Sequence, residues 1–286
     1  MNIYVPKCLT FRRSPAQLRQ HAGAKLVLGC LLFGMACQHA AGAVITQWNF
    51  NVNAPGTNNS PVPSTGAGVA QIVGMNNNEP NGDFPTATNG IGSSDPAVTP
   101  NDLSWRVRGS VMNGWSGNTS LLSGAQFAAS TVGFTDITLS FDINATDGSP
   151  RHAQLQYTTD GTNFTSFGAL LDFNSTNDNW ANGLVRDLSS IALADNNPNF
   201  AFKIVSAFSP DDFTDAGGFH AANTAFQRAD ADPLEGPYNG TAGNYRFDMV
   251  TISATPVPEP STLLLMGAGL LGIAATNYRR HCAIRG

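Results

Sequence analysis

Hydrophobic and polar residues alternate with a period of two along much of the chain, and residues 44–254 contain no long stretch of helical periodicity. In the clearest run, residues 136–143, every second position is large and apolar: Ile137, Leu139, Phe141 and Ile143. Because successive strand side chains point to opposite faces, this spacing predicts a β-strand with one buried face. The same alternation predicts further strands at residues 44–52, 152–158, 200–205 and 245–252.

Segments rich in glycine, asparagine and proline separate these predicted strands. Asp160-Gly161 favours a tight turn, since glycine tolerates a positive φ, and residues 188–194 are the one segment suited to a helical turn. Short alternating strands with long loops are typical of an antiparallel β-sandwich. We therefore predict an all-β domain over residues 44–255. We also expect its first and last strands to pair, with Trp48–Phe50 close to Phe247–Met249.

The first 43 residues have the three-part composition of a secretory signal peptide. Their N-terminal part is basic without any acidic residue, and an apolar run of about 11 residues, 26–36, follows it. Ala41 and Ala43 supply the small side chains that a signal peptidase requires near the cut. The sequence therefore predicts export, with removal of residues 1–43 by signal peptidase.

Residues 256–286 combine a proline-flanked acidic residue, an apolar segment and a basic tail. The prolines of Pro258-Glu259-Pro260 lack backbone donors and disfavour helix before them, so this motif should be extended and accessible. The apolar segment from Leu263 to Ala275, about 13 residues, is at the lower limit for a transmembrane helix in a hydrocarbon core of about 30 Å. Arg279 and Arg280 follow it and are expected to stop transfer and remain cytoplasmic.

This tail resembles the PEP-CTERM sorting signal of Gram-negative bacteria, from Val257 to Arg280, with Pro258-Glu259-Pro260 in the signature position. The resemblance implies that an exosortase, an integral-membrane cysteine protease-transpeptidase, recognises the motif and removes the helix. It further implies an inner-membrane intermediate, then release to the cell surface or the extracellular space, often in association with exopolysaccharide. The alternative is an ordinary tail anchor that is never cleaved. Residues 127–167 also resemble a jelly-roll-like domain of exported PEP-CTERM proteins, which implies fold and export but no activity.

Charge and cysteine are unevenly distributed along the chain. Residues 44–260 hold all 20 acidic residues and seven of the 15 basic ones, a net charge of −13, whereas all four cysteines lie outside this segment. The negative charge argues against nucleic acid as a partner. The exported domain therefore has no disulfide, and its roughly 210 residues are enough to bury a core without one.

The residues that could carry catalysis are few. The exported part has two histidines, His152 and His220, and no Gly-x-Ser-x-Gly nucleophile motif. His152 fits a surface or cross-strand position, and His220, in a long loop, is the better functional candidate. Acidic residues clustered at 211–235 leave open a hydrolase that uses paired carboxylates, although spacing along a loop does not fix the separation of the carboxyl groups. We predict no enzymatic activity.

Two kinds of ligand site remain as hypotheses. In the acidic loop, Asp211, Asp212 and Asp215 are weak candidates for the oxygen ligands of a structural calcium ion. No other cofactor is expected. Asp248, on an apolar strand, is expected to accept hydrogen bonds from a neighbouring loop rather than to bind metal. Trp115 and Trp180 are flanked by turn-forming polar residues and are candidates for stacking on sugar rings, with loop anchoring as the alternative role.

The sequence thus leaves three hypotheses for the exported domain. The first is a non-enzymatic cell-surface or extracellular protein that acts in the extracellular matrix or binds polysaccharide. The second is a secreted glycan-active hydrolase that uses loop carboxylates. The third is a passive structural or adhesive surface protein without a small ligand.

Overall fold

The computed structural model describes residues 42–74, 82–86, 89–96, 102–108, 115, 120–146, 148–174, 179–229 and 243–257, together with the helical residues 266–267 and 269–273. Residues from Gly42 onward belong to one compact unit. Within the described part of this unit, strands dominate, and a short 3-10 helix at Ala192–Ala194 interrupts them.

The described residues include sixteen strands, which form three antiparallel sheets. In chain order they are β1 (Ala43–Trp48), β2 (Gly56–Thr57), β3 (Thr65–Gly66), β4 (Val69–Val73), β5 (Gly82–Phe84), β6 (Trp105–Arg108), β7 (Gly124–Ala128), β8 (Phe134–Ala145), β9 (His152–Thr158), β10 (Thr165–Ser166), β11 (Leu171–Asp172), β12 (Trp180–Asp187), β13 (Ala201–Ala207), β14 (Phe213–Asp215), β15 (Gly218–His220) and β16 (Asn244–Pro256).

The larger sheet has eight strands. Its main path runs β12-β8-β16-β6-β5-β2, with β1 beside β16 and β3 beside β1. The last strand, β16, is central because it pairs with β8 along one edge and with both β6 and β1 along the other. The second sheet has six strands in the order β10-β9-β13-β7-β4, with β11 also beside β9, and β14 and β15 form a separate hairpin.

One apolar core lies between the two large sheets. Phe127 on β7 of the six-stranded sheet contacts three rings of the eight-stranded sheet, those of Trp48, Trp105 and Phe247. The four alternating apolar side chains of β8 are all buried in this core. Two antiparallel sheets that share a core have the arrangement of a β-sandwich, and the all-β prediction is confirmed.

The first and last strands pair as the sequence predicts. Trp48 lies opposite Val250, and Ala43 lies opposite Ala254 at the other end of β1. Gly161 has a φ of 80°, as the predicted Asp160-Gly161 turn requires. The predicted helical turn within residues 188–194 is present as the 3-10 helix.

The two ends of the chain remain predictions. Residues 1–41 lie outside the described residues, as do Pro258, Glu259, Pro260, Arg279 and Arg280. Within the described part of the chain, no helix has the length and apolar character needed to cross a membrane. Four features therefore remain predictions from the sequence: the signal peptide, the transmembrane helix, the jelly-roll-like topology and the domain boundaries.

Candidate functional site

The central strand β16 changes its neighbour at Asp248. Residues 244–247 pair with β6, and residues 250–254 pair with β1. Between these two pairings the register with β8 is interrupted, and Met249 adopts a positive φ of 48°. The edge of β16 beside Asp248 therefore faces a gap between two strands.

The irregularity at Met249 also changes which side chains enter the core. Tyr245 and Phe247 are buried in the core before it, whereas Val250 and Ile252 are buried in the core after it. A bulge of this kind adds one residue to a strand and re-aims its side chains. Since Phe247 points into the core, Asp248 stands on the opposite face of the sheet.

A loop of residues 89–96, here named the cover loop, lies over that face. Its Ser94 N–H donates to Asp142 Oδ2 at 2.5 Å, and Asp142 Oδ1 accepts from Gly183 N–H at 2.6 Å. Asp142 lies directly opposite Asp248 on the neighbouring strand β8. A single buried carboxylate therefore joins the cover loop to β12 across the outer face of the sheet.

Two further groups hold the cover loop at its ends. Asn51, which follows β1, donates from Nδ2 to Asp95 Oδ2 at 2.6 Å and accepts from Leu103 N–H at 2.7 Å. At the start of the loop, the Asn89 side chain exchanges hydrogen bonds with the Ser104 backbone. These contacts bring the segment after β1, the segment before β6 and the cover loop together at the gap beside Asp248.

Three carboxyl groups converge at this gap. One side-chain oxygen from each of Asp95, Asp102 and Asp248 lies within 4.8 Å of the other two. Asp248 is fully buried, and Asp102 is only 5% exposed. Asp102 Oδ1 and Asp248 Oδ2 are buried without a hydrogen-bond partner, so two of the three carboxyl groups have an unsatisfied oxygen. We refer to these three residues as the carboxylate cluster.

The surroundings raise the pKa of every member of the carboxylate cluster. Burial raises the pKa of Asp248 to about 8, against hydrogen bonds from Ser93 and the Met249 N–H that lower it, and the charges of Asp95 and Asp102 raise it further. Burial also raises the pKa of Asp95 and of Asp102. Asp248 Oδ1 accepts a hydrogen bond from the Met249 N–H at 2.8 Å, and Ser93 of the cover loop is close enough to lower its pKa. Asp248 also belongs to a group of like charges, which the sequence does not indicate.

The pKa of Asp248 predicts how stability depends on pH in metal-free buffer. Between its unfolded pKa of about 3.9 and its folded pKa of about 8, the folded state holds a proton that the unfolded state has lost. The free energy of unfolding should therefore fall as pH rises through this window, by at most about 1.4 kcal/mol per pH unit. Urea denaturation at several pH values measures the slope, which should be shallower in Asp248→Asn. Asp211→Asn changes an exposed carboxylate outside the cluster and should retain the wild-type slope. Equal slopes for wild type and Asp248→Asn would contradict the raised pKa of Asp248.

The predicted calcium ligands do not converge, and that prediction is corrected. Asp212 Oδ1 accepts from Ala222 N–H, and Asp215 Oδ1 accepts from Gly217 N–H and contacts His220 Nε2 at 3.2 Å. Among the described residues, the group of acidic side chains that does converge is the carboxylate cluster instead. The acidic loop places its carboxylates along local turns, which use their oxygens to accept backbone N–H groups.

Trp115 is not a sugar platform, so that prediction is wrong. Its side chain is 2% exposed, its ring centroid lies 4.5 Å from that of Tyr245, and its Nε1 donates to the Gly243 carbonyl. The alternative role, anchoring of a loop, is the one that the structure assigns to it. The Trp180 side chain donates from Nε1 to the Ile91 carbonyl at 3.1 Å and packs against Gly92. Because Trp180 is only half-buried, part of its ring remains accessible.

The two histidines of the exported part lie in different surroundings. His152 is buried, and burial lowers its pKa. His220 stacks on Phe213 and contacts Asp215 within the β14-β15 hairpin. In the part of the chain that the structure describes, no serine or threonine hydroxyl is hydrogen-bonded to either imidazole.

The chain leaves the sandwich at the end of β16. Val257, which follows Pro256, donates its N–H to the Gly133 carbonyl at 2.8 Å and is 42% exposed. Of the predicted apolar segment Leu263 to Ala275, residues 266–267 and 269–273 are described and helical. The folded domain therefore ends directly before the predicted sorting signal.

A family model for the PEP-CTERM protein-sorting motif matches residues 256–280. The chain carries a PEP-CTERM protein-sorting motif. The predicted sorting signal is thereby confirmed, and the PEP-CTERM match is consistent with an exported protein that an exosortase processes. No curated protein gives a significant match to the chain.

The sequence signals the PEP-CTERM segment but not the carboxylate cluster. Asp95 and Asp102 lie in a turn-rich stretch where acidic residues are common, and Asp248 is one polar residue in an apolar strand. Asp248 is the single detectable signal, because an acid inside a strand of a sandwich must be covered by something polar.

Proposed function

We propose that the protein is an exosortase-sorted cell-surface or extracellular β-sandwich that acts without catalysis, in association with exopolysaccharide or extracellular matrix. The observation that supports this most strongly is the position of the sorting motif. The motif match begins at Pro256, the last residue of the central strand β16. Among the described residues, the last strand of the sandwich ends here, so removal of the tail would leave every described strand in place.

The pairing of the terminal strands supports the same proposal at the N-terminus. Ala43, the predicted signal-peptidase position, lies opposite Ala254 on β16. Cleavage after Ala43 would remove one strand residue and leave Val44, opposite Ser253, as the new start of β1. Both predicted processing positions therefore flank the same end of the eight-stranded sheet, where the two strands are already held by their ladder.

The non-enzymatic part of the proposal is supported by the described histidines and acidic loop. His152 is buried without a hydroxyl partner, and the acidic loop residues Asp212 and Asp215 accept hydrogen bonds from nearby backbone. Among the described residues, the accessible part of the Trp180 ring beside the cover loop is a candidate contact for polysaccharide. Aromatic faces on a rigid strand suit stacking on sugar rings, because little side-chain freedom is lost on binding.

The sorting step is tested by changing the motif in the full chain. In cells that contain an exosortase, the wild-type protein should lose its C-terminal helix and appear outside the inner membrane. The triple variant Pro258→Ala, Glu259→Ala, Pro260→Ala should keep the helix and fractionate with the membrane. Intact-mass measurement of the fractionated protein reports both outcomes.

A matched control is Pro256→Ala, which removes a neighbouring proline and leaves Pro-Glu-Pro unchanged. It should be processed like the wild type. If the wild type also keeps its complete C-terminal tail, the tail is an uncleaved anchor and the proposal is wrong.

A further inference from the structure

We propose that Asp95, Asp102 and Asp248 bind one calcium ion beneath the cover loop. The three residues come from separate parts of the fold: the cover loop, the segment before β6 and the central strand β16. Their oxygens nevertheless lie within 4.8 Å of one another, on the outer face of the eight-stranded sheet. This site is distinct from the sorting motif and from the acidic loop at residues 211–215.

The unsatisfied oxygens of the cluster point to a ligand. Asp102, which is 5% exposed, and Asp248, which is fully buried, each have a carboxylate oxygen without a hydrogen-bond partner. The large majority of buried side-chain polar atoms in proteins do have a partner, and a carboxylate oxygen can only accept unless it is protonated. Two such orphaned acceptors in one cluster are the environment that a cation would satisfy.

The neighbouring side chains of Asp142 and Asn51 are committed to other partners. Both oxygens of Asp142 accept backbone N–H groups, from Ser94 and Gly183. The Asn51 side chain gives its Nδ2 donor to Asp95 and its oxygen to Leu103 N–H. Gly90 packs closely on Asp102, and a Cβ added at Gly90 would lie 2.5 Å from Asp102 Oδ1. Residue 90 therefore has no room for a side chain beside this carboxylate.

Electrostatics favours a divalent ion at the same position. The like charges of Asp95 and Asp102 act on Asp248, and burial disfavours the charged form of all three groups. A bound cation reverses this effect, because an ion is the largest local charge and favours deprotonated ligands. The cluster would then hold three carboxylates around two positive charges.

The donor set and spacing favour calcium over other metals. All three donors are carboxylate oxygens, which hard cations prefer and which zinc or copper sites seldom use alone. Calcium binds oxygens at about 2.3–2.6 Å, so two ligands on opposite sides of the ion are up to about 5 Å apart, and the 4.8 Å limit of the cluster falls within that span. Magnesium at about 2.0–2.1 Å needs a tighter set and gives up its waters reluctantly.

Calcium would close the gap beside Asp248. It would connect β16 directly with the cover loop and with the segment that enters β6, where no strand ladder does so. A dissociation constant of about 10⁻⁴–10⁻³ M, the range of extracellular calcium modules, would fill the site outside the cell.

The test is calcium binding by the purified full-length protein in detergent at pH 7.5. Isothermal titration with calcium chloride should give one site per chain. Calcium at about 100 times its Kd should raise the Tm by about 5 °C or more relative to EDTA. Asp248→Asn and Asp102→Asn should each weaken calcium binding by more than about 100-fold, because each removes a direct ligand, whereas outer-sphere changes already cost about 10- to 100-fold.

The matched control is Asp211→Asn, the same change at the carboxylate that the sequence favours, and it should bind calcium like the wild type. Asp248→Asn should remain folded in EDTA, since a neutral amide replaces a buried carboxyl group. Should it fail to fold, Asp102→Asn and the half-buried Asp95→Asn give the same readout. The proposal is overturned if the wild type does not bind calcium at about 10 mM, if Asp248→Asn and Asp102→Asn bind normally, or if Asp211→Asn loses binding as they do. An equal response to magnesium would overturn the assignment to calcium.

Discussion

Phe127→Ala should lower the free energy of unfolding by about 3–5 kcal/mol, the usual cost of truncating a buried aromatic residue. This large loss of unfolding free energy follows from the position of the Phe127 ring. Phe127 is buried on β7 of the six-stranded sheet, and its centroid lies 5.2 Å from Trp48, 6.0 Å from Trp105 and 5.8 Å from Phe247 of the other sheet. It also stacks on Phe202 of its own sheet at 5.3 Å. Its loss opens a cavity where the two sheets meet.

Chemical denaturation of the wild type and the variant measures this effect. Phe219→Ala is the matched control, because the same side chain is 68% exposed on β15, and it should change stability by less than about 0.5 kcal/mol. Equal losses for the two variants would mean that the two sheets do not share the core described above.

Trp115→Ala should destabilise the protein by about 3–5 kcal/mol without weakening polysaccharide binding of the molecules that remain folded. The indole is 2% exposed, lies against Tyr245 and donates to the Gly243 carbonyl at 2.9 Å. A ring that is covered on its faces contributes packing energy and cannot stack on a sugar. Denaturation curves and a pull-down with the exopolysaccharide of the producing cells measure the two quantities separately.

Trp180→Ala is the informative comparison for Trp115→Ala. Its ring is half-buried and makes one hydrogen bond to the Ile91 carbonyl, so truncation should cost only about 1 kcal/mol. If polysaccharide binds at the cover loop, this variant should lose the pull-down signal. A Trp115→Ala protein of wild-type stability that had lost binding would show that Trp115, and not Trp180, contacts the sugar.

The strands could be predicted because their signal is local. In β8, each of Ile137, Leu139, Phe141 and Ile143 is buried, since the period of two places them all on one face. In β16 the same alternation changes phase at the irregularity between Asp248 and Thr251. The sequence of that strand contains no glycine or proline there to indicate a bulge, although Met249 adopts a positive φ of 48°.

The candidate site could not be predicted because its members meet only through tertiary structure. Asp95, Asp102 and Asp248 converge where β1 ends, β6 begins and the cover loop folds back. By contrast, Asp211, Asp212 and Asp215 are close in sequence, which made them attractive calcium ligands. In the structure, Asp212 Oδ1 and Asp215 Oδ1 accept N–H groups from different parts of the backbone. Proximity along a loop is a poor guide to proximity of side chains.

The burial of the Trp115 side chain could not be predicted from its sequence neighbours either. Turn-forming neighbours in the sequence indicate a surface loop, but the Trp115 ring is inserted beside Tyr245 of the central strand. A buried tryptophan N–H usually has a hydrogen-bond partner, and that of Trp115 donates to the Gly243 carbonyl. Flanking composition reports the backbone of a segment and not the direction of its largest side chain.

The central position of β16 also determines how the domain would bear mechanical load. Tension applied through the C-terminus runs along the axis of β16, which is held by β8 on one side and, toward its end, by β1 on the other. Antiparallel hydrogen bonds lie perpendicular to the strand axis, so the two ladders would resist the pull together, in shear. An edge strand pulled from its end would instead peel away one bond at a time. A sandwich tethered by this strand is therefore built to stay folded under flow or cell-to-cell traction.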